Sequence, residues 1–292
     1  IRIKVEIQTK KELTELIFPA WRPGRYELGN FAKNVKGLRV YDSNINPLEC
    51  SKVEKNKWTV DTANTDFIYI EYQYHSAELN AGSTFVSDEQ LYVNPVNCFM
   101  YTEDVMQEEC LVELEIPKDW EICCSMPQEK NTLFANDYHE LVDSPFIASP
   151  SLQHDFYMVN DIKFHLWFQG ECKPDWNRLK TDFTKFTEKQ LEHFKAFPTD
   201  AYHFIFQITP YTTYHGVEHK ASTVIALGPS YDVMEELYTE LLGVSSHELY
   251  HAWNIKSIRP KEMHPYDYSR ENYSKLGFVC EGVTTYLGDQ FL

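Results

Sequence analysis

Apolar and polar positions alternate with period two along much of the first 168 residues, most clearly at 35–41, 57–61, 67–74, 110–116 and 161–168. Successive side chains of a strand point to opposite faces, so this alternation predicts half-buried β-strands. Ile1, Ile3, Val5 and Ile7 extend the pattern to the start of the chain, and turns are marked at Pro23-Gly24, Asn46-Pro47, Asn94-Pro95 and Ser144-Pro145. The reading is an antiparallel β-sandwich over residues 1–169.

After Gly170 the period changes. Leu179, Phe183, Phe186, Leu191, Phe194 and Phe197 recur at helical spacing, with Asp175 placed to cap and Pro198 to stop the helix. Strands follow at 202–208 and 222–227. A second helical zone is expected over 231–256, broken near Gly243. Residues 170–292 therefore read as an α+β domain, which makes the chain a two-domain α+β protein.

Composition narrows the function. The chain has 292 residues, the length of about two domains, and its 43% hydrophobic content supplies packed cores. Asp and Glu total 44 against 27 Lys and Arg, a net charge of −17 that would repel a phosphate backbone, so nucleic acid is not the expected partner. No apolar run approaches the roughly 18 to 20 residues of a membrane-spanning helix. The seven cysteines form no CxxC pair and their odd count leaves at least one thiol free. That favours a reducing, cytoplasmic compartment, although a chain starting at Ile1 would not show a removed targeting peptide. Cys123 and Cys124 read as buried small hydrophobes.

The candidate chemistry lies in Ser245-Ser246-His247-Glu248-Leu249-Tyr250-His251. Residues four apart on a helix share a face, so His247 and His251 can offer imidazole nitrogens to one tetrahedral Zn²⁺. Glu248 then lies beside the metal, where it can take a proton from bound water. Glu281 stands in a largely apolar stretch, Leu276 to Leu287, where a carboxylate is costly to bury unless a cation compensates it. As third ligand it would leave the fourth position open, as catalytic zinc requires. Glu262, Asp267 and Glu271 compete for that role from a Pro- and Tyr-rich connection. The plain alternative is that His247 and His251 are solvated helix residues and Glu281 a surface carboxylate.

The segment HELYHAWNIKSIRP, followed by Glu281 in EGVTTY, resembles the glycyl aminopeptidase family of gluzincin zinc peptidases, whose pattern runs HExxHxWNxKxxRP and then EGxTxY. Trp21-Arg22-Pro23-Gly24-Arg25-Tyr26 is similar to that family's W-x-P-G-x-Y signature, and His215-Gly216-Val217-Glu218-His219 to its G-G-x-E-H strand. The resemblance implies a β-sandwich followed by a thermolysin-like catalytic domain and a C-terminal PDZ module. On that pattern Leu292 is not a natural end, the catalytic domain is truncated, and the residue stabilising the transition state lies beyond it. It implies zinc on His247, His251 and Glu281, and Glu248 as general base. The resemblance implies that Glu218 holds the free amine of a peptide, with Gly216 and His219 beside it in the substrate strand. The activity implied is release of small N-terminal residues, Gly or Ala.

Asp200 and Asp232 remain alternative amine anchors, and His215 with His219 an alternative second metal site. Trp21 and Tyr26 read as core, Lys256 and Arg259 as cations suited to the end of the helix before Pro260, and Asn254 as a residue that could hydrogen-bond a ligand. A non-catalytic zinc-site protein that binds peptides or partners, and an endopeptidase without an amine anchor, are the competing functions. Oligomeric state is left open.

Overall fold

A computed structural model describes residues 1–292. Its N-terminal part is built from small antiparallel sheets. One orders the strands Arg2–Gln8, Phe67–Tyr74, Val35–Tyr41 and Pro47–Leu48, and a second the strands Leu13–Ile17, Lys57–Asp61 and Cys50–Glu54. Alternation explains the packing: in Phe67–Tyr74, Ile68, Ile70, Tyr72 and Tyr74 point inward and are buried. Two further sheets hold Cys110–Glu113 and Glu121–Cys124. Cys123 and Cys124 are buried there, and all seven cysteines are free.

The C-terminal part is organised by a five-stranded mixed sheet in the order Gln153–Val159, Ile162–Gln169, Ala201–Ile208, Ser222–Gly228, Thr213–Glu218. This moves the expected domain boundary. The strands Gln153–Val159 and Ile162–Gln169 alternate like those before them, yet Ile162–Gln169 pairs in parallel with Ala201–Ile208. Period two identifies a strand without identifying its sheet, so the division expected after residue 169 falls before Gln153.

The helix Trp176–Phe194 covers one face of this sheet, its Leu179, Phe183 and Phe186 packed with Phe204 and Phe206. Asp175 caps it by accepting from the Arg178 N–H at 3.1 Å, and Lys195 closes it with φ 71°. Phe197, expected inside the helix, packs edge-on against Trp253 from the loop beyond. The second helix runs from Tyr238 to His251 without a break at Gly243. It ends at His251, so Lys256 and Arg259 stand in the turns that follow it.

The chain closes with a π-helical turn, Phe278–Val283, continuing into the helix Thr284–Gln290. Gly288 lets this helix lie directly on His247, because a Cβ there would stand 3.1 Å from the His247 Cα. Ser246 Oγ donates to the Gly288 carbonyl at 2.7 Å. One hydrophobic cluster joins the N-terminal sheets to Ile255, Met263, Tyr266, Tyr268 and Cys280 of the C-terminal part. No helix is long and apolar enough to cross a membrane.

Candidate functional site

The helix Tyr238–His251 places His247 and His251 one turn apart with their Nε2 atoms 3.0 Å from each other. Glu281 Oε2 lies 3.7 Å from His247 Nε2 and 3.5 Å from His251 Nε2. Ligands bound about 2.0 to 2.2 Å from one tetrahedral zinc stand about 3.3 to 3.6 Å apart, so the triangle is close to the size of a zinc site, with one edge about 0.3 Å shorter and one about 0.1 Å longer than that span. The protonation pattern fits as well. His251 Nδ1 faces the Asn254 carbonyl at 2.7 Å, and a carbonyl only accepts, so Nδ1 carries the hydrogen and neutral His251 turns the Nε2 lone pair to the triangle.

The surroundings favour a positive charge at that point. Burial would lower His251, but the carboxylates of Glu281, Glu218 and Glu248 outweigh it and raise its pKa to about 9. Burial and the neighbouring His251 push His247 down to about 4. Two imidazoles facing each other beside carboxylates thus hold one proton where one cation fits.

Glu248 is 5% exposed, and its Oε2 has no hydrogen-bond partner. Burial, with Glu218 and Glu281 adding to it against His251, lifts its pKa to about 8. A dication held by the adjacent triangle would push that value back down. Gly216, on the edge strand Thr213–Glu218, makes room for the carboxylate, since a Cβ at this position would collide with Glu248 Oε1. The residue expected to bind substrate therefore serves Glu248 directly.

Glu218 projects from the same strand, and its carboxylate lies within 4.8 Å of ligand atoms of Glu248 and His251. Its Oε1 is buried without a partner. His219, expected beside the substrate, is engaged elsewhere: Nδ1 donates to Asp143 Oδ1 at 3.1 Å. Lys256 Nζ donates to the same oxygen at 2.6 Å from a side chain only 1% exposed. The buried Lys256 is thus the partner of the half-buried Asp143 carboxylate rather than a cation at a helix end. Arg259 stacks over Tyr266, 3.9 Å from the ring centroid.

Two residues take roles that differ from the sequence reading or sharpen it. Tyr26, read as core, donates from its hydroxyl to Glu281 Oε1 at 2.7 Å and so reaches the triangle from the N-terminal part. Asn254 orients His251 through its carbonyl, while its side-chain amide donates to the Val279 carbonyl at 2.8 Å and to Thr284 Oγ1 at 3.0 Å. It thereby ties the His247 helix to the turn that carries Glu281. Trp21 is core as expected, packed 5.4 Å from Tyr266. The competing carboxylates have other partners: Ser274 donates to Glu262, Ser269 and Arg270 bind Asp267, and Tyr273 donates to Glu271. Neither His215, Asp200 nor Asp232 joins a cluster of metal-ligating groups.

The mixed sheet, the His-Glu-x-x-His helix and a glutamate from the next helical segment define an arrangement of the gluzincin class. The chain belongs to the M61 peptidase family, matching its N-terminal domain over residues 1–150 and the M61 glycyl aminopeptidase domain over residues 240–292. Among solved structures it is similar to an aminopeptidase N family protein from Idiomarina loihiensis, at 25% identity and a TM-score of 0.94, over 100% of this chain and 51% of that one. The chain thus spans about half the length of that relative. An M1 zinc metallopeptidase from Deinococcus radiodurans aligns at 11% identity and a TM-score of 0.48, over 87% of this chain and 59% of that one. No curated protein matches the sequence.

Proposed function

We propose that this chain carries the metal centre and amine anchor of a zinc aminopeptidase. The observation that carries the reading is a triangle of ligand atoms with edges of 3.0, 3.7 and 3.5 Å, close to those of a zinc site, beside a buried carboxylate whose Oε2 has no partner. His247, His251 and Glu281 would hold the ion, with Tyr26 and Asn254 fixing the orientation of Glu281 and His251. Zinc held there supplies a Lewis acid that polarises the scissile carbonyl and lowers the pKa of water.

Glu248 accepts the proton of the attacking water and returns it to the departing amine. Its burial and lack of partners keep it available for that transfer. Glu218 sits at a fixed place beside this pair and gives a peptide's α-ammonium a carboxylate to bind, which selects a chain end over an internal bond. The family's glycyl aminopeptidase description supports Gly among neutral N-terminal residues, and Ala is the next smallest side chain.

Metal analysis of dialysed protein, combined with cleavage of free-amine and N-acetylated peptides, tests the reading. The expected result is one zinc per chain, lost in Glu281→Ala, and cleavage restricted to free-amine peptides and abolished in Glu218→Ala. Cleavage of acetylated peptides would assign an endopeptidase. Zinc without cleavage, both in this chain and in a longer chain carrying the rest of the catalytic domain, would assign a non-catalytic site.

A further inference from the structure

The inner face of the helix Trp176–Phe194 is apolar at Leu179, Phe183, Phe186 and Leu191 and polar at Thr187 and Gln190, which are both fully buried. A polar group enclosed among apolar ones is costly unless it is hydrogen-bonded. Thr187 meets the Tyr157 hydroxyl at 2.8 Å, on the sheet that the helix covers. Gln190 instead reaches the helix Tyr238–His251: its Nε2 lies 2.8 Å from the Ser246 carbonyl and 3.0 Å from Ser246 Oγ.

That pairing decides where the Ser246 hydroxyl points. The amide cannot be reversed, because Oε1 would then face a carbonyl that only accepts, and it keeps this direction although Oε1 is left buried with no partner. With Oγ accepting from Gln190, its one hydrogen goes to the Gly288 carbonyl at 2.7 Å. The contact falls beside a metal ligand, since Gly288 lies against the His247 backbone. Glu281 precedes Gly288 on the same helical segment, and the Asn254 amide holds that segment at the Val279 carbonyl and at Thr284 Oγ1. From Thr284 to Gly288 a helix advances about 6 Å. One attachment fixes a position and a second, that far along, fixes the direction of the segment that presents Glu281.

We propose that Ser246, backed by Gln190, is a positioning residue for the metal centre: the relay from Gln190 through Ser246 to Gly288 fixes the third ligand, Glu281, against His247 and His251. This rests on the zinc reading of the site. It adds that the helix Trp176–Phe194, which carries no ligand, governs how tightly the ion is held. Removing the Ser246 hydroxyl leaves the Glu281 segment tied at the Asn254 end alone, free to tilt about it. Removing the Gln190 amide leaves the hydroxyl in place but no longer directed, so its effect is the smaller of the two.

The experiment follows zinc release from the loaded chain to a chelator and records the visible absorption of the Co²⁺-loaded chain, whose bands report ligand number and geometry. Ser246→Ala and Gln190→Met are compared with Tyr157→Phe, which removes an equally buried hydrogen bond of the same helix. Ser246→Ala should weaken zinc binding by about tenfold to a hundredfold, the span for groups that orient metal ligands, and alter the cobalt bands. Gln190→Met should shift both in the same direction by less, while Tyr157→Phe lowers Tm and leaves both as in the parent. Affinity and bands unchanged in Ser246→Ala, or an equal loss of affinity in Tyr157→Phe, overturns the positioning role. If the parent binds neither zinc nor cobalt, the zinc reading fails, and amide hydrogen exchange decides on the relay. Faster exchange over residues 278–290 in Ser246→Ala but not in Tyr157→Phe keeps it, and equal exchange discards it. If Ser246→Ala does not fold, Gln190→Met decides by the same measurements.

Discussion

Two carboxylates flank the edge strand Thr213–Glu218 and are treated in opposite ways. Asp143 receives Lys256, His219 and the Lys220 N–H, so although burial alone would raise its pKa, its neighbours hold it well below the ordinary value. Glu248 has an unpartnered oxygen and a pKa raised to about 8 by burial and by Glu218 and Glu281. The first arrangement secures the fold, joining the N-terminal part to the edge strand and to the segment after His251. The second forgoes that security and leaves a base free to act. Burial alone therefore does not mark a reactive group; burial without partners does.

The sharpest way to break this contrast is to remove each carboxyl charge in turn. Glu248→Gln should lower kcat by about 10² to 10⁴-fold with zinc content unchanged, the loss expected for a general base. In the metal-free chain the same change should raise Tm at pH 8. A folded pKa above the ordinary 4.5 means that stability is present at low pH and lost as pH rises toward about 8, and glutamine removes that loss. A fall in Tm with activity retained would reverse the assignment.

Asp143→Ala should behave in the opposite sense, costing about 3 to 5 kcal/mol in denaturant unfolding because Lys256 is left charged and unpaired. The depressed Asp143 pKa contributes stability that is whole above the ordinary 3.8 and lost as pH falls below it. Asp143→Asn should therefore flatten the acid limb of the stability profile. An unchanged limb would mean that the network is not the fastening it is taken for.

Smaller effects test the supports. Gly216→Ala should displace the Glu248 carboxylate and lower kcat with little change in zinc affinity, read by comparing turnover with a metal titration. Tyr26→Phe should weaken zinc binding by about tenfold while leaving the fold intact, the usual cost of removing a hydrogen bond that orients a ligand. Zinc affinity equal to the parent's would show that Glu281 is held without the N-terminal part.

What the sequence made legible follows from the range of the interactions involved. His247 and His251 need only the periodicity of one helix, and Glu248 follows from them. The helix Trp176–Phe194 and the strand alternation are likewise local. Glu281 could be singled out because an ionisable group in an apolar stretch asks for a partner. Tyr26 could not, because its hydroxyl meets Glu281 only after a turn in the N-terminal part has docked on the C-terminal one. The Asp143, His219 and Lys256 network is hidden for the same reason, since three distant segments supply it. The sheet boundary was misplaced because alternation reports a face and not a neighbour.

The π-helical turn Phe278–Val283 makes the site depend on rotational phase as well as on residue identity. Each helical residue turns the chain by about 100°, and a π-turn holds one residue more than an α-helix would in the same span. Deleting Gly282 would let the turn relax toward α-helix and swing Glu281 roughly a quarter-turn relative to Thr284–Gln290. Every ligand would remain in the chain, yet the triangle would be gone.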